Sequence, residues 1–129
     1  AINGNCYAGG AIMASGVDFR LMRADRGRFC FSEVNIKIPF TPVMTEIIRL
    51  LPDQQALRDL ALIGKAVGGE EAKQMKVADS IHSEEELLPA AMAFAEMMAQ
   101  KDRATYGAIK RGLRLGLTQT ARDRGYIRG

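Results

Sequence analysis

Two glycines and one glutamate in the first third of the chain have residue types that could do chemistry together. Gly9-Gly10 stand between a short apolar stretch and an Ala/Ile/Met run, which predicts a strand that turns into a helix. Free N–H groups at a helix start carry partial positive charge, and glycine lets a ligand come close to them. Glu33 is the nearest good candidate for a base. We therefore expect a site that holds a developing negative charge beside a carboxylate.

The elements that must position these residues are predicted from local patterns. Residues 10–15 read as a short helix that Gly16 ends. Alternating apolar and polar residues over 17–23 predict a strand with one buried face, and residues 28–31 predict a second strand after a turn at 25–27. Together they indicate a hairpin-like return that brings Glu33 back near the glycines.

The rest of the chain is predicted to be mainly helical. Ser83 to Glu86 is a capping-box sequence, and Pro89 either kinks the helix that follows or moves its regular part later. The predicted elements are helices over 43–51, from after Pro52-Asp53 to Gly64, over 70–76, from the capping box to Met98 and over 104–123, and a strand over 77–81. Such an order differs from the regular alternation of a doubly wound sheet.

Composition excludes several function classes. With 129 residues the chain has the size of one domain, and its net charge of +3 is too small to predict a nucleic-acid partner. Cys6 and Cys30 lack any metal or redox spacing, so we expect reduced core residues of an intracellular protein. No metal site can be built around the single histidine, His82, which we expect at the surface. No apolar run approaches the roughly 18 to 20 residues that cross a bilayer.

Four segments in order resemble the enoyl-CoA hydratase/isomerase (crotonase) superfamily. At residues 3–10, Asp18, 31–36 and 69–79 they roughly follow the family pattern N-G-x-(A)-x-G-G-G, then C-D, then F-x-x-P-E-(V/L)-x-(L/I)-G, then (S/T)-A-x-E-A-x-x-x-G-(L/I)-V-(D/N). Within the superfamily the chain is most similar to the plant-type Δ3,Δ2-enoyl-CoA isomerases. The resemblance implies an α/β fold, the C-terminal portion of a β-β-α spiral core over residues 1–80 followed by a helical trimerisation region over residues 81–129. It also implies that the family's N-terminal half is missing here.

The resemblance also implies roles for individual residues. Gly9 falls on an oxyanion-hole position and Glu33 on the family's second acid, although Ser32 replaces the usual proline before it. Where hydratases carry their other glutamate this chain has Ile12, which cannot bind water, so isomerisation by a single carboxylate is favoured over hydration. Coenzyme A would be part of the substrate and no further cofactor is expected. The residues expected to contact substrate are Gly10, Tyr7, Ile12, Pro39, Phe40 and Lys110.

The same residues also have simpler, purely structural interpretations. The glycines could serve backbone geometry alone, Glu33 could be a surface residue, and Pro39-Phe40 could be a packed loop instead of an acyl-chain wall. A basic cluster on the last helix could meet coenzyme A phosphates or RNA, or be a solvated face; its members are Lys110, Arg111 and Arg114.

The resemblance implies an acyl-CoA substrate, a homotrimer or hexamer, and a peroxisomal compartment, a mitochondrial one being possible. Neither a metal nor a membrane partner is expected. The alternatives to an isomerase are a truncated, non-catalytic assembly or storage module and an enoyl-CoA hydratase.

Overall fold

The computed structural model describes residues 1–129 and contains four short strands and eight helices. The strands are β1 (Cys6–Tyr7), β2 (Leu21–Arg23), β3 (Phe29–Cys30) and β4 (Ser80–His82). The helices are α1 (Gly9–Ser15), α2 (Glu33–Ile36), α3 (Pro42–Ile48), α4 (Gln54–Ile63), α5 (Gly69–Gln74), α6 (Glu84–Met98), α7 (Arg103–Leu113) and α8 (Leu115–Asp123).

The strands form two small parallel sheets, β1 with β3 and β2 with β4. Ile2 extends the second sheet by a bridge to Met22, and Val67 extends the first by a bridge to Phe29. The predicted hairpin between residues 17–23 and 28–31 is therefore wrong, since β2 and β3 lie in different sheets. Parallel partners need a long crossover, and the segment that contains α1 and β2 is the crossover between β1 and β3.

The predicted strand over 17–23 begins only at Leu21 because the residues before it are occupied by other contacts. The Arg20 guanidinium, which is buried, donates to the carbonyls of Ala14, Val17 and Val77. It therefore closes the end of α1 and joins it to the segment before β4. The predicted strand over 77–81 likewise begins at Ser80, because the amides of Val77 and Ala78 both donate to Ala72 O at the end of α5.

The long helix predicted over 104–123 is two helices, α7 and α8, separated at Arg114. Its backbone leaves helical geometry at φ −111° and ψ 20°, and its guanidinium donates to Gly16 O at 2.7 Å. A contact with a distant loop thus interrupts the helix. Helix α6 begins at Glu84 with Ser83 as its cap and continues through Pro89, so the proline does not move its start.

The core lies between the sheets and the helices α1, α3, α4 and α5. Phe29, Phe31, Met22 and Leu60 are fully buried in it. Gly69 opens α5 directly against the end of β2, and a Cβ there would lie 2.5 Å from Arg23 O. Only glycine allows this close approach.

Both cysteines are buried and free, as the sequence predicts. Cys6 pairs with Phe29, and Cys30 pairs with Tyr7 at the next register position. Their side chains therefore leave opposite faces of the two-stranded ribbon. None of the helices combines the length and apolar character needed to span a membrane.

Candidate active site

The turn from β1 into α1 is made by one strained residue, Ala8. Its φ of 49° and ψ of −119° are unusual for a residue with a side chain. Hydrogen bonds hold it on both sides, since its N–H donates to Cys30 O and its carbonyl accepts from Ile12 N, each at 3.0 Å. Such a conformation costs about 1–3 kcal/mol and persists only where the surroundings impose it. The result is an abrupt start of α1 at Gly9.

Gly9 and Gly10 are the first two residues of this helix, and both residues are exposed. The first N–H groups of a helix have no partner within it, and no other group of the chain accepts from these two. A Cβ built on either glycine meets no atom within 4 Å. The predicted anion-holding amides are therefore open to an approaching ligand.

Glu33 is the first residue of α2, just beyond β3, and only 6% of it is exposed. Its Oε2 is buried and has no hydrogen-bond partner. Because β1 and β3 are parallel, the residues that follow them leave the sheet at the same edge. Gly9 and Glu33 thus reach this edge by parallel alignment, in place of the predicted hairpin.

A cavity of about 630 Å³ adjoins Glu33. Besides Glu33, three polar residues line it, Lys37, Thr45 and Arg58. The ring of Phe40 packs edge-on against the ring of Phe31, with 6.0 Å between the ring centroids, and so holds the loop after α2 against the core. The apolar part of the lining is Val34, Ile38, Pro39, Phe40, Ile48, Leu57, Ala61 and Leu62. A mainly apolar cavity with a carboxylate in its wall suits an acyl chain beside a proton-transfer group.

The carboxylate also affects the neighbouring thiol. Burial, and then the nearby charge of Glu33, raise the pKa of Cys30 above its ordinary value. A raised thiol pKa keeps Cys30 protonated, so it is a poor nucleophile. Its Sγ instead donates to Gly64 O at 3.5 Å. Cys30 is therefore part of the support of the site.

The other residues predicted to contact substrate are dispersed. Pro39 and Phe40 line the cavity with Glu33, whereas Gly9 and Gly10 do not. Tyr7 is exposed on β1, and Ile12 is buried within the core cluster. The carboxylate of Glu33 and the Pro39-Phe40 loop therefore share one cavity, and the glycine amides lie outside it.

Lys110 lies in a different cavity, of about 500 Å³, where its Nζ donates to Asp18 at 2.8 Å. Tyr106 and Arg114 donate to the same carboxylate. Burial would raise the pKa of Asp18, but hydrogen bonds from Lys110 and Tyr106 outweigh it and lower the pKa. Two members of the predicted basic cluster thus attach α7 to the core, and only Arg111 stays apart.

The sequence analysis assigns no role of its own to Asn35, two residues beyond Glu33. Asn35 Nδ2 donates to Gly64 O at 3.0 Å, which joins α2 to the end of α4. Gly64 was recognised as a helix stop, but nothing local indicates the residue it contacts.

His82, which we expected at the surface, is half-buried, and its Nε2 lies 2.7 Å from Ser80 Oγ. No group of three or more His, Cys, Asp or Glu side chains is arranged to hold a metal ion.

Comparison with known proteins shows which family the chain resembles. A family model described as enoyl-CoA hydratase/isomerase matches residues 1–127. The chain is 34% identical over 118 residues to a peroxisomal enoyl-CoA delta isomerase 2 and 32% identical over 118 residues to an enoyl-CoA delta isomerase 3, both from Arabidopsis thaliana. These alignments cover 88% of this chain and 49% and 50% of the relatives. The chain therefore spans about half the length of the curated relatives it matches.

Solved structures give the same assignment of the fold. An enoyl-CoA hydratase from Mycobacterium ulcerans superposes with a TM-score of 0.84 at 23% identity, over 93% of this chain and 52% of that one. At this identity the likeness concerns the fold alone, which here is part of a crotonase-like α/β domain. Since the family model and the fold agree over nearly the whole chain, the protein belongs to the enoyl-CoA hydratase/isomerase family.

Proposed function

We propose that this chain carries the proton-transfer group of an enoyl-CoA Δ3,Δ2-isomerase. The observation that supports this most is Glu33, a buried carboxylate with one unpartnered oxygen in the wall of an apolar cavity. A carboxylate in the wall of such a cavity is the kind of group that can take a proton from a bound substrate. The names of the two Arabidopsis relatives favour the same reaction.

In the proposed mechanism Glu33 moves one proton along the acyl chain. Its carboxylate removes a proton from C2 of a 3-enoyl thioester, and the C–H electron pair forms an enolate. The Gly9 N–H donates a hydrogen bond to the enolate oxygen, the type of contact that stabilises such a transition state. The enolate then collapses to a C2=C3 double bond, and the C3=C4 electron pair takes the proton back from Glu33 at C4. No atom or electron is gained or lost overall, so the step needs no oxidant or reductant.

Ile12 favours isomerisation over hydration. It lies on α1 three residues beyond Gly9 and is buried in the core. Adding water by the family's two-carboxylate mechanism needs an acid at this position, and an isoleucine can neither orient water nor exchange a proton with it. A hydratase remains the second candidate, and product analysis distinguishes it from an isomerase.

The remaining features of the proposal concern the whole protein. Its substrate is an acyl-CoA ester, with Pro39 and Phe40 in the acyl wall, and its subunits associate as trimers or as dimers of trimers. The name of one Arabidopsis relative supports a peroxisomal location. About half of each relative lies outside the match, so the second oxyanion donor and most of the coenzyme A surface are assigned to that other half.

Replacing Glu33 by glutamine tests the proposal. In the full-length protein we expect Glu33→Gln to lower kcat for a 3-enoyl-CoA about 10²- to 10⁴-fold, because the amide cannot accept the proton. Binding of the CoA ester should change little, since Gln has nearly the same shape. Conversion is followed by the absorbance of the conjugated 2-enoyl product.

Glu46→Gln is the matched control, because Glu46 is a partly exposed carboxylate paired with Arg49 outside this cavity. It should keep full turnover. Near-normal isomerisation by Glu33→Gln would overturn the proposal, and formation of 3-hydroxyacyl-CoA by the unmodified protein would favour the hydratase.

A further inference from the structure

Glu33 lies on a helix of only four residues, α2. The backbone closes this turn at its end, where Lys37 adopts a left-handed φ of 63° and its N–H donates to Glu33 O. A single turn has few internal hydrogen bonds and is not stable by itself. The direction of the Glu33 side chain must therefore depend on what α2 packs against.

The carbonyl of Gly64 is the point where three elements around Glu33 meet. It accepts from Asn35 Nδ2 of α2 at 3.0 Å and from Cys30 Sγ of β3 at 3.5 Å. Gly64 itself caps α4, with its N–H donating to Leu60 O. One acceptor thus connects the strand before Glu33, the turn that carries it, and the helix that supplies part of the cavity wall.

The fit between Asn35 and Gly64 is close. Gly64 has a left-handed φ of 73°, and a Cβ built on it would lie 2.5 Å from Asn35 Nδ2. The amide of Asn35 therefore packs directly on the Gly64 backbone, and any other residue at 64 would displace it. This contact is the side-chain hydrogen bond that links α2 to α4.

We propose that Asn35 is a positioning residue for Glu33. Its bond to Gly64 O fixes α2 against α4, and this sets the Glu33 carboxylate relative to the α4 side chains that line the same cavity, Leu57 and Ala61. The catalytic consequence depends on the proposed isomerase function, whereas the structural consequence does not. A misplacement of the base by about 1 Å is enough to lower turnover on the order of 100-fold.

Asn35→Ala and Asn35→Leu test this role in the full-length protein, the leucine keeping the volume while removing the donor. We expect kcat for 3-enoyl-CoA to fall about tenfold or more in both variants, with KM changed by less than about threefold, because binding surface is kept and base geometry is lost. Gln54→Ala is the matched control. Gln54 Nε2 donates to a backbone carbonyl, Leu51 O at 3.3 Å, and lies on α4 outside the cavity.

A kcat within about twofold of wild type in both Asn35 variants would overturn the positioning role, and so would an equal loss in Gln54→Ala. Amide hydrogen exchange over residues 34–38 gives a readout that needs no catalysis. It should become at least about tenfold faster in the Asn35 variants and stay unchanged in Gln54→Ala. Unchanged exchange in the Asn35 variants would overturn the proposal. If their exchange is faster but the wild-type protein has no isomerase activity, only the proposed function is refuted.

Discussion

Glu33 combines near-complete burial with an oxygen that has no partner. A buried acceptor left without a hydrogen bond costs about 1–3 kcal/mol, so folded proteins keep few of them. Ala8, at the end of the neighbouring strand, keeps a strained backbone. The unpartnered oxygen of Glu33 and the strained backbone of Ala8 thus lie just beyond two paired strands, at the same edge of one sheet. Unfavourable features that cluster in this way are typical of functional sites.

Replacing Ala8 by glycine should stabilise the protein. Glycine adopts a φ of 49° without steric strain, and the relief exceeds the greater entropy of glycine in the unfolded chain. We expect the free energy of unfolding to rise by about 1 kcal/mol, measured by urea denaturation.

Ala14→Gly is the matched control, because Ala14 lies within α1, the helix that Ala8 precedes, and has no positive φ. It should destabilise by about 0.5–1 kcal/mol. Equal destabilisation by the two glycines would show that the turn at Ala8 is not strained.

At the scale of elements, one carboxylate attaches the C-terminal helices to the rest of the chain. Asp18 accepts from Tyr106 and Lys110 of α7 and from Arg114 at the junction with α8, at 2.7–2.8 Å. Helix α7 buries none of its own residues, so polar contacts carry much of its attachment. The cluster therefore anchors α7 and determines where the long helical segment breaks.

Asp18→Asn should weaken this attachment in a pH-dependent way. The hydrogen bonds hold the folded pKa of Asp18 below its ordinary 3.8 despite partial burial. The ionised form therefore stabilises the fold at pH values above the unfolded pKa, and the gain is lost as pH falls through the folded pKa. At pH 7 we expect Asp18→Asn to lower the free energy of unfolding by about 1–2 kcal/mol, and this difference from wild type should shrink below about pH 4. Urea unfolding at a series of pH values measures it.

Asp25→Asn is the control, because Asp25 pairs with Arg23 at an exposed position. It should change the free energy of unfolding much less than Asp18→Asn does, because solvent screens an exposed ion pair. A difference between wild type and Asp18→Asn that is the same at pH 3 and pH 7 would contradict the proposed role of the ionised carboxylate.

At the scale of the whole molecule, the chain exposes more surface than a compact monomer. Its accessible area is 8283 Å², whereas a folded monomer of this mass exposes about 6,700 Å². Large apolar residues one helical turn apart contribute to it on two helices, Leu88 and Met92 on α6 and Ile109 and Leu113 on α7. Such exposed apolar faces are suited to contacts between chains, in line with the proposed oligomer.

Charge placed on this surface should weaken self-association. If the α6 face lies between subunits, Met92→Glu raises the dissociation constant at least about tenfold, since it buries a carboxylate without a partner. Light scattering after size-exclusion chromatography, over a dilution series, measures the effect.

Ile127→Glu, an exposed apolar residue outside the helices, should leave association unchanged. A monomeric wild-type protein, or equal association of wild type and Met92→Glu, would count against a subunit contact at α6.

The sequence by itself determined the features whose causes lie within a few residues. Helix α4 begins after Asp53 and ends at Gly64, because the Asp53 carboxylate accepts from Ala56 N and glycine takes the left-handed cap. The order of motifs identified the family and pointed to Gly9 and Glu33. Helix caps and short motifs are local in the chain, so they do not depend on which distant residues they contact.

Only the tertiary structure decided how distant segments meet. The parallel pairing of β1 with β3, the break at Arg114 and the contact of Asn35 with Gly64 each join residues that are far apart in sequence. Local periodicity predicts a hairpin over residues 17–31 and one long helix over residues 104–123. It does so because the spacing of apolar residues is the same whichever partner a segment packs against. The burial of Glu33 and its unpartnered oxygen arise from this packing, which is why the character of the site became visible only in three dimensions.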